Sequence, residues 1–265
     1  MPPAFELTKP TLDVGVVAHD VDGMRAFYGE VLGLELAPSI PVAGGEVAVH
    51  RVGTSTVKLW CLETPPPRGD GGVDAAIGYR LLTLMVSDLD GVLARAESAG
   101  ISGIERTTFG EGTGAVPLAF LSDVDGNALE LVGLPGMEPM LQVGLTVGNV
   151  ERTRKFFVDA LGLTPQPEVR FDDPAFGEVV SHSVDFGATV MKYWERGGDL
   201  PVQTGPISDR AGIRYVTVHV SSVADAVSTL EKKGVAIAMP PTELGTATIA
   251  FVADPDGNWF ELIQR

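Results

Sequence analysis

The chain holds a single cysteine, Cys61, among 265 residues. That excludes an intramolecular disulfide and fits a reducing compartment. Basic residues are scarce too: 19 Lys and Arg stand against 35 Asp and Glu, for a net charge of −16. Such a surface is repelled by phosphate backbones and anionic lipid, so neither nucleic acid nor a membrane surface is expected as a partner. No apolar run approaches the roughly eighteen residues of a membrane span. The first ten residues, "MPPAFELTKP", lack a basic segment followed by an apolar one, so a cytoplasmic protein is expected. There is no phosphate loop, nucleophile elbow or CxxC pair, and only four histidines. "DVDGN" lacks the twelve-residue spacing and closing glutamate of a calcium loop.

What is present is repetition. "FLSDVDGNALEL" (Phe120–Leu131) matches "FVADPDGNWFEL" (Phe251–Leu262) at seven of twelve positions. "GEVAVH" (Gly45–His50) echoes "GEVVSH" (Gly177–His182). "MRAFYGEVLGL" (Met24–Leu34) echoes "TRKFFVDALGL" (Thr153–Leu163), and "SDLDGVLARAESAGI" (Ser87–Ile101) echoes "SSVADAVSTLEKKGV" (Ser221–Val235). All are offset by about 130 residues and run in the same order, so the chain is a tandem duplication. "VGLPGMEP" (Val132–Pro139) is the natural joint. The expected domains are residues 10–134 and 139–265. Each half divides again into a strand, a helix and about three strands. The two Asp-Gly-Asn turns read as hairpin chemistry, with Gly and Asn supplying the backbone conformation.

"VGVVAHDVDGMRAFYGEVLGL", "VGLTVGNVERTRKFFVDALGL" and the two "DxDGNxxEL" endings resemble the vicinal oxygen chelate superfamily. That group includes glyoxalase I, bleomycin-resistance proteins and extradiol dioxygenases. The resemblance implies an α+β fold of four βαβββ modules, paired into two half-barrel cups. It also implies a ligand, and usually one divalent metal (Zn, Ni, Mn or Fe), inside a cup. A tandem chain supplies the four modules that smaller members assemble as dimers, so a monomer or homodimer is expected.

The resemblance implies metal ligands on the first and last strands of each module. Those positions fall on Asp13, Leu81, Trp60 and Glu130 in the first half, and on Gln142, Tyr215, Tyr193 and Glu261 in the second. Leu and Trp cannot ligate a cation, so the first half is expected to have lost its metal and the second half to be the working one. Gln142 and Glu261 match glyoxalase-type ligands, with His219 or His182 as a third. The absent His-His-Glu set argues against extradiol dioxygenase chemistry.

Strand alternation puts Tyr215 and His219 on one face. Glu261, His219 and Tyr215 are therefore the acid–base candidates. Trp60, His182, Tyr193, Tyr215 and Trp259 are the candidate walls of a pocket for a flat organic ligand. His50 and His182 could equally be packing residues inherited from one ancestral repeat. Three functions follow: a small-molecule binder with a degenerate metal site, a metal-dependent lyase, isomerase or epimerase in the C-terminal cup, or a metal-free acid–base enzyme.

Overall fold

A computed structural model describes residues 4–110, 112–173 and 177–265. The first module comprises β1 (Asp13–Val17), α1 (Val21–Ala26) and β2 (Leu36–Val42), then β3 (Gly45–Val52) and β4 (Ser55–Leu62). The second comprises β5 (Gly78–Val86), α2 (Leu89–Ser98), β6 (Glu105–Phe109), β7 (Val116–Ser122) and β8 (Ala128–Gly133). The third runs through β9 (Met140–Val147), α3 (Val150–Lys155), the two-residue β10 (Thr164–Pro165), β11 (Val169–Asp173), β12 (Gly177–Phe186) and β13 (Thr189–Glu195). The fourth holds β14 (Gly212–His219), α4 (Val223–Lys232), β15 (Ala236–Leu244), β16 (Ala247–Ala253) and β17 (Trp259–Gln264). This is the expected α+β architecture of four βαβββ modules.

Each helix starts on a polar side chain that caps its first turn. Asp20, Asp88, Asn149 and Ser222 accept from the backbone N–H of Gly23, Gly91, Arg152 and Asp225. The helices α1 and α3 each continue into one wide π turn, Phe27–Val31 and Phe156–Ala160. That turn drives two adjacent aromatics, Phe27 with Tyr28 and Phe156 with Phe157, into the core. No helix among the described residues is long and apolar enough to cross a membrane.

The sheets cross the repeat boundary. One sheet runs β15-β16-β17-β14-β1-β4-β3-β2, and the other β10-β12-β13-β9-β5-β8-β7-β6, with β11 on β12. Thus modules one and four curl into one cup (cup 1), and modules two and three into the other (cup 2). The joints are antiparallel: β1 on β14, and β5 on β9. A cup built within one half, with Trp60 facing Glu130 or Gln142 beside Glu261, is therefore corrected: each of these pairs is split between the two sheets.

The repeated "DxDGN" motif fastens the modules within each half. Asp123 accepts from the backbone N–H of Asp125 and Asn127 and from the Asn127 amide. Asp254 does the same with Asp256 and Asn258. Gly126 and Gly257 sit at φ near 89° and 88°, the left-handed turn region that favours glycine. The middle aspartates reach outward. Asp125 accepts from the N–H of His19 and Asp20 at the head of α1, and Asp256 from Gly148 N–H and Arg152 beside α3.

Candidate functional site

Alternation along β4 buries Val57, Leu59 and Cys61 toward the helices and turns Thr56, Lys58, Trp60 and Leu62 into cup 1. Gly15 on β1 is directly opposite both Lys58 and Tyr215. A Cβ at Gly15 would lie 1.9 Å from the Tyr215 ring, so only glycine lets that ring lie across the strand. On β14, Tyr215, Thr217 and His219 share the cup face. They stand opposite Trp259, Glu261 and Ile263 of β17.

The centre of cup 1 is a charged cluster. The Lys58 ammonium donates to Thr217 Oγ1 at 2.6 Å and to Glu261 Oε2 at 2.7 Å, and the Thr217 hydroxyl donates to the same carboxylate oxygen at 2.5 Å. Among the described residues these are its two hydrogen-bond acceptors; the ammonium also lies 5.4 Å from the centroid of the Tyr215 ring, and its chemistry allows a third donation. Burial works against the charged ammonium, but Glu261, Tyr215 and Asp13 outweigh it and hold its pKa well above the usual lysine range. Beside it, Asp13 Oδ2 pairs with His219 Nε2 at 2.7 Å, while Oδ1 accepts from Lys9 and from Thr56 N–H. Burial raises the Asp13 pKa, and the contacts with His219, Lys9 and Lys58 overcome that and depress it well below the carboxylate range.

Aromatic rings flank the cluster. Trp60 Nε1 donates to Tyr215 Oη at 2.9 Å. Phe251 bridges Tyr215 and Trp259, with ring centroids 5.6 and 4.9 Å away. Burial pushes the Tyr215 phenol far above its ordinary pKa, so it is a neutral wall at pH 7.

Cup 2 repeats the centre without the aromatic box. Lys192 donates to Thr83 Oγ1 at 2.7 Å and to Glu130 Oε2 at 2.6 Å, and Thr83 donates to Glu130 at 2.6 Å. Gln142 stands opposite Thr83, as Asp13 stands opposite Thr217. Trp194 fills the place that Trp60 takes in cup 1, packed with Leu81 and Val179 against Val73 and Ala128.

The expected site residues thus separate. Trp60, Tyr215, Trp259, Glu261 and His219 come together in cup 1. Gln142 lies in cup 2, away from Glu261 and His219, so that trio does not form. His182 and Tyr193 stack on each other at 5.4 Å and 22°. They occupy the opposite face from Lys192, against Phe157, and line no cup. His50 likewise packs beside Tyr28 on the helix side of its sheet. The charged centres are built on Lys58 and Thr217 in cup 1 and on Lys192 and Thr83 in cup 2, four residues that were not among those expected. The two lysines were legible as a repeat, "KLW" and "KYW" 134 residues apart, but a lysine in a strand ordinarily reads as solvent-facing.

The donor chemistry does not suit a divalent ion. An ammonium offers only hydrogens and repels a second cation. Among the described residues no three His, Cys, Asp or Glu side chains are grouped to hold a metal.

A profile described as Glyoxalase/Bleomycin resistance protein/Dioxygenase superfamily matches residues 12–131 and again 140–262. The chain belongs to this superfamily. Its relatives include a lactoylglutathione lyase of Arabidopsis thaliana, 25% identical over 248 residues, covering 90% of this chain and 85% of that one. A probable chloroplastic lactoylglutathione lyase of the same plant is 30% identical over 138 residues, 48% of this chain, which spans 35% of that relative's length. Glyoxalase I from Zea mays shares the fold with a TM-score of 0.73 at 22% identity, covering 96% of this chain and 92% of that one. A putative dioxygenase from Bacillus subtilis shares it at 0.63 and 14% identity. Each of the two profile matches falls on one sequence repeat, whereas each cup takes one module from each repeat.

Proposed function

We propose that cup 1 binds a flat, oxygen-bearing organic molecule, with its rings between Trp60, Tyr215, Phe251 and Trp259 and an oxygen on the Lys58 ammonium. The observation that carries this reading is the remaining Lys58 N–H beneath an aromatic wall. Aromatic faces supply apolar area, and a single fixed donor orients the ligand. Cup 2 has the same ammonium, but Leu81 and Ala128 stand where cup 1 has Tyr215 and Trp259. Binding is therefore assigned to cup 1, built from modules one and four, rather than to the C-terminal half.

The test is a titration with 2-naphthol and coumarin, with 2-methylnaphthalene as a ring-only control, following the three tryptophan indole N–H resonances. Trp60 and Trp259 should shift and Trp194 should not. Lys58→Met should weaken the oxygenated probes at least tenfold and leave the control unchanged. Shifts confined to Trp194, or no dependence on Lys58, would overturn the assignment.

The Asp13–His219 pair favours a second reading, a metal-free acid–base enzyme. A carboxylate on Nε2 fixes the ring and leaves Nδ1 as the proton-transfer atom. The relatives' names make lactoylglutathione the compound to assay first. Under this reading, turnover survives a chelator, and His219→Asn removes one limb of the pH–rate profile. An unchanged profile would exclude His219 from proton transfer.

A further inference from the structure

The lysine, threonine and glutamate at the two cup centres superimpose in role, although their surroundings have diverged. Lys58 corresponds to Lys192, Thr217 to Thr83 and Glu261 to Glu130, with the same three hydrogen bonds in each. Each lysine emerges opposite a glycine, Gly15 or Gly144, on the adjoining first strand. Around them, Asp13 is replaced by Gln142, Tyr215 by Leu81 and Trp259 by Ala128. A trio that persists while its neighbours change serves something other than one ligand's shape.

In each cup the lysine reaches from one repeat to a hydroxyl and a carboxylate on the other. Lys58 on module one holds Thr217 and Glu261 on module four, and Lys192 on module three holds Thr83 and Glu130 on module two. We infer that each ammonium is a covalently tethered replacement for a divalent cation, clamping two modules by the bonds a shared metal would otherwise make. A tethered cation cannot be lost to a chelator. In each glutamate one oxygen, Oε2, takes both the ammonium and the hydroxyl, so one positive charge meets one negative charge, as a monovalent head would supply.

The inference predicts that the cation site reappears when the tether is removed. In cup 1, Lys58→Ala leaves Asp13, Thr217 and Glu261 as an oxygen set suited to a hard ion. Mn2+ is the probe, with the free ion followed by electron paramagnetic resonance and the fold by circular dichroism. The unmodified protein should bind no equivalent at this centre, and its thermal midpoint should ignore both millimolar Mn2+ and EDTA. Lys58→Ala should bind one equivalent and recover thermal midpoint on adding it. Lys58→Ala with Glu261→Gln should bind at least tenfold more weakly. Lys192→Ala in cup 2, with Glu130 and the neutral Gln142, should bind more weakly than Lys58→Ala.

If Lys58→Ala does not fold unaided, its refolding yield with and without Mn2+ gives the same reading. Ion-dependent recovery supports the inference, and ion-independent failure overturns it. A folded Lys58→Ala that binds no Mn2+ also overturns it. So does an unmodified protein that holds one equivalent and loses it in Glu261→Gln.

Discussion

The Lys58 ammonium lies 2.7 Å from Glu261, on a strand 203 residues away in sequence, and both side chains are nearly withdrawn from water. Breaking such a pair on one side leaves a buried charge uncompensated, which costs about 3–5 kcal/mol. Lys58→Met should therefore lower the denaturant midpoint sharply. Adding Glu261→Gln to Lys58→Met should recover much of the loss. Chemical denaturation of the two singles and the double gives the coupling, and additive losses would show that the pair carries no shared energy.

Lys192 and Glu130 form the corresponding pair at 2.6 Å, somewhat more exposed than the first. Solvent screening reduces its worth. Lys192→Met should destabilise less than Lys58→Met, with the same partial rescue by Glu130→Gln. Equal losses in both cups would contradict this ordering.

Gly15→Ala tests the close approach in cup 1. The new Cβ would meet the Tyr215 ring at 1.9 Å, which forces the ring aside and strains its hydrogen bond from Trp60. Overpacking of this kind costs on the order of 1–3 kcal/mol. The indole N–H resonance of Trp60 should move, and that of Trp194 should stay. An unchanged Trp60 signal would place the Tyr215 ring elsewhere.

Two carboxyls set an unusual pH response near neutrality. Burial raises Asp123 and Asp254 to about 6, against the N–H donors of their own turns. Each binds more protons folded than unfolded between about pH 4 and 6, so each adds stability as the pH falls through its folded value. From pH 7 to 5 the gain is on the order of 1 kcal/mol per site. Denaturant midpoints at the two pH values should show it, and Asp254→Asn should remove its share. A midpoint that falls between pH 7 and 5 would contradict the assignment.

Asp13 acts in the opposite sense and at lower pH. Its depressed pKa means that it stabilises the fold above the unfolded value of about 3.9 and loses that contribution as acid protonates it. Asp13→Asn should flatten the acid-unfolding limb below about pH 4 and lower stability at neutral pH. Because His219 and Lys9 share this carboxylate, the neutral-pH loss should exceed that of an exposed aspartate. An acid limb identical to that of the parent would remove Asp13 from this role.

Much of the fold was legible because it is local. β-rich apolar runs marked the strands, apolar spacing marked the helices, and the 130-residue echo marked the repeat. The DxDGN motif was legible as a turn, but not the outward reach of Asp125 and Asp256, which depends on neighbours distant in sequence. Which modules pair was also hidden, since every module offers a similar apolar first strand and tertiary packing chooses the partner. The charged centre at Lys58, Thr217 and Thr83 was not singled out, for a related reason. Positions i and i+2 share a face, so alternation sets the side of the sheet but not the depth in the cup. Depth follows from the register of β1 against β4 and β14. At Tyr193 the miss was by one, which turned the wrong face to the cup and hid Lys192.

The crossing of the sheets gives the chain a nested order of assembly. Cup 2 is drawn from the uninterrupted stretch 78–195, whereas cup 1 needs residues 13–62 and 212–264 together. During synthesis β1–β4 leave the ribosome before β14–β17, so their sheet can be completed only after the middle of the chain has emerged. Closing that long loop carries a larger entropic cost than pairing the neighbours within 78–195. The first module must wait with the apolar edge of β1 unpaired, which makes it the stretch most exposed to wrong partners while the chain is being made.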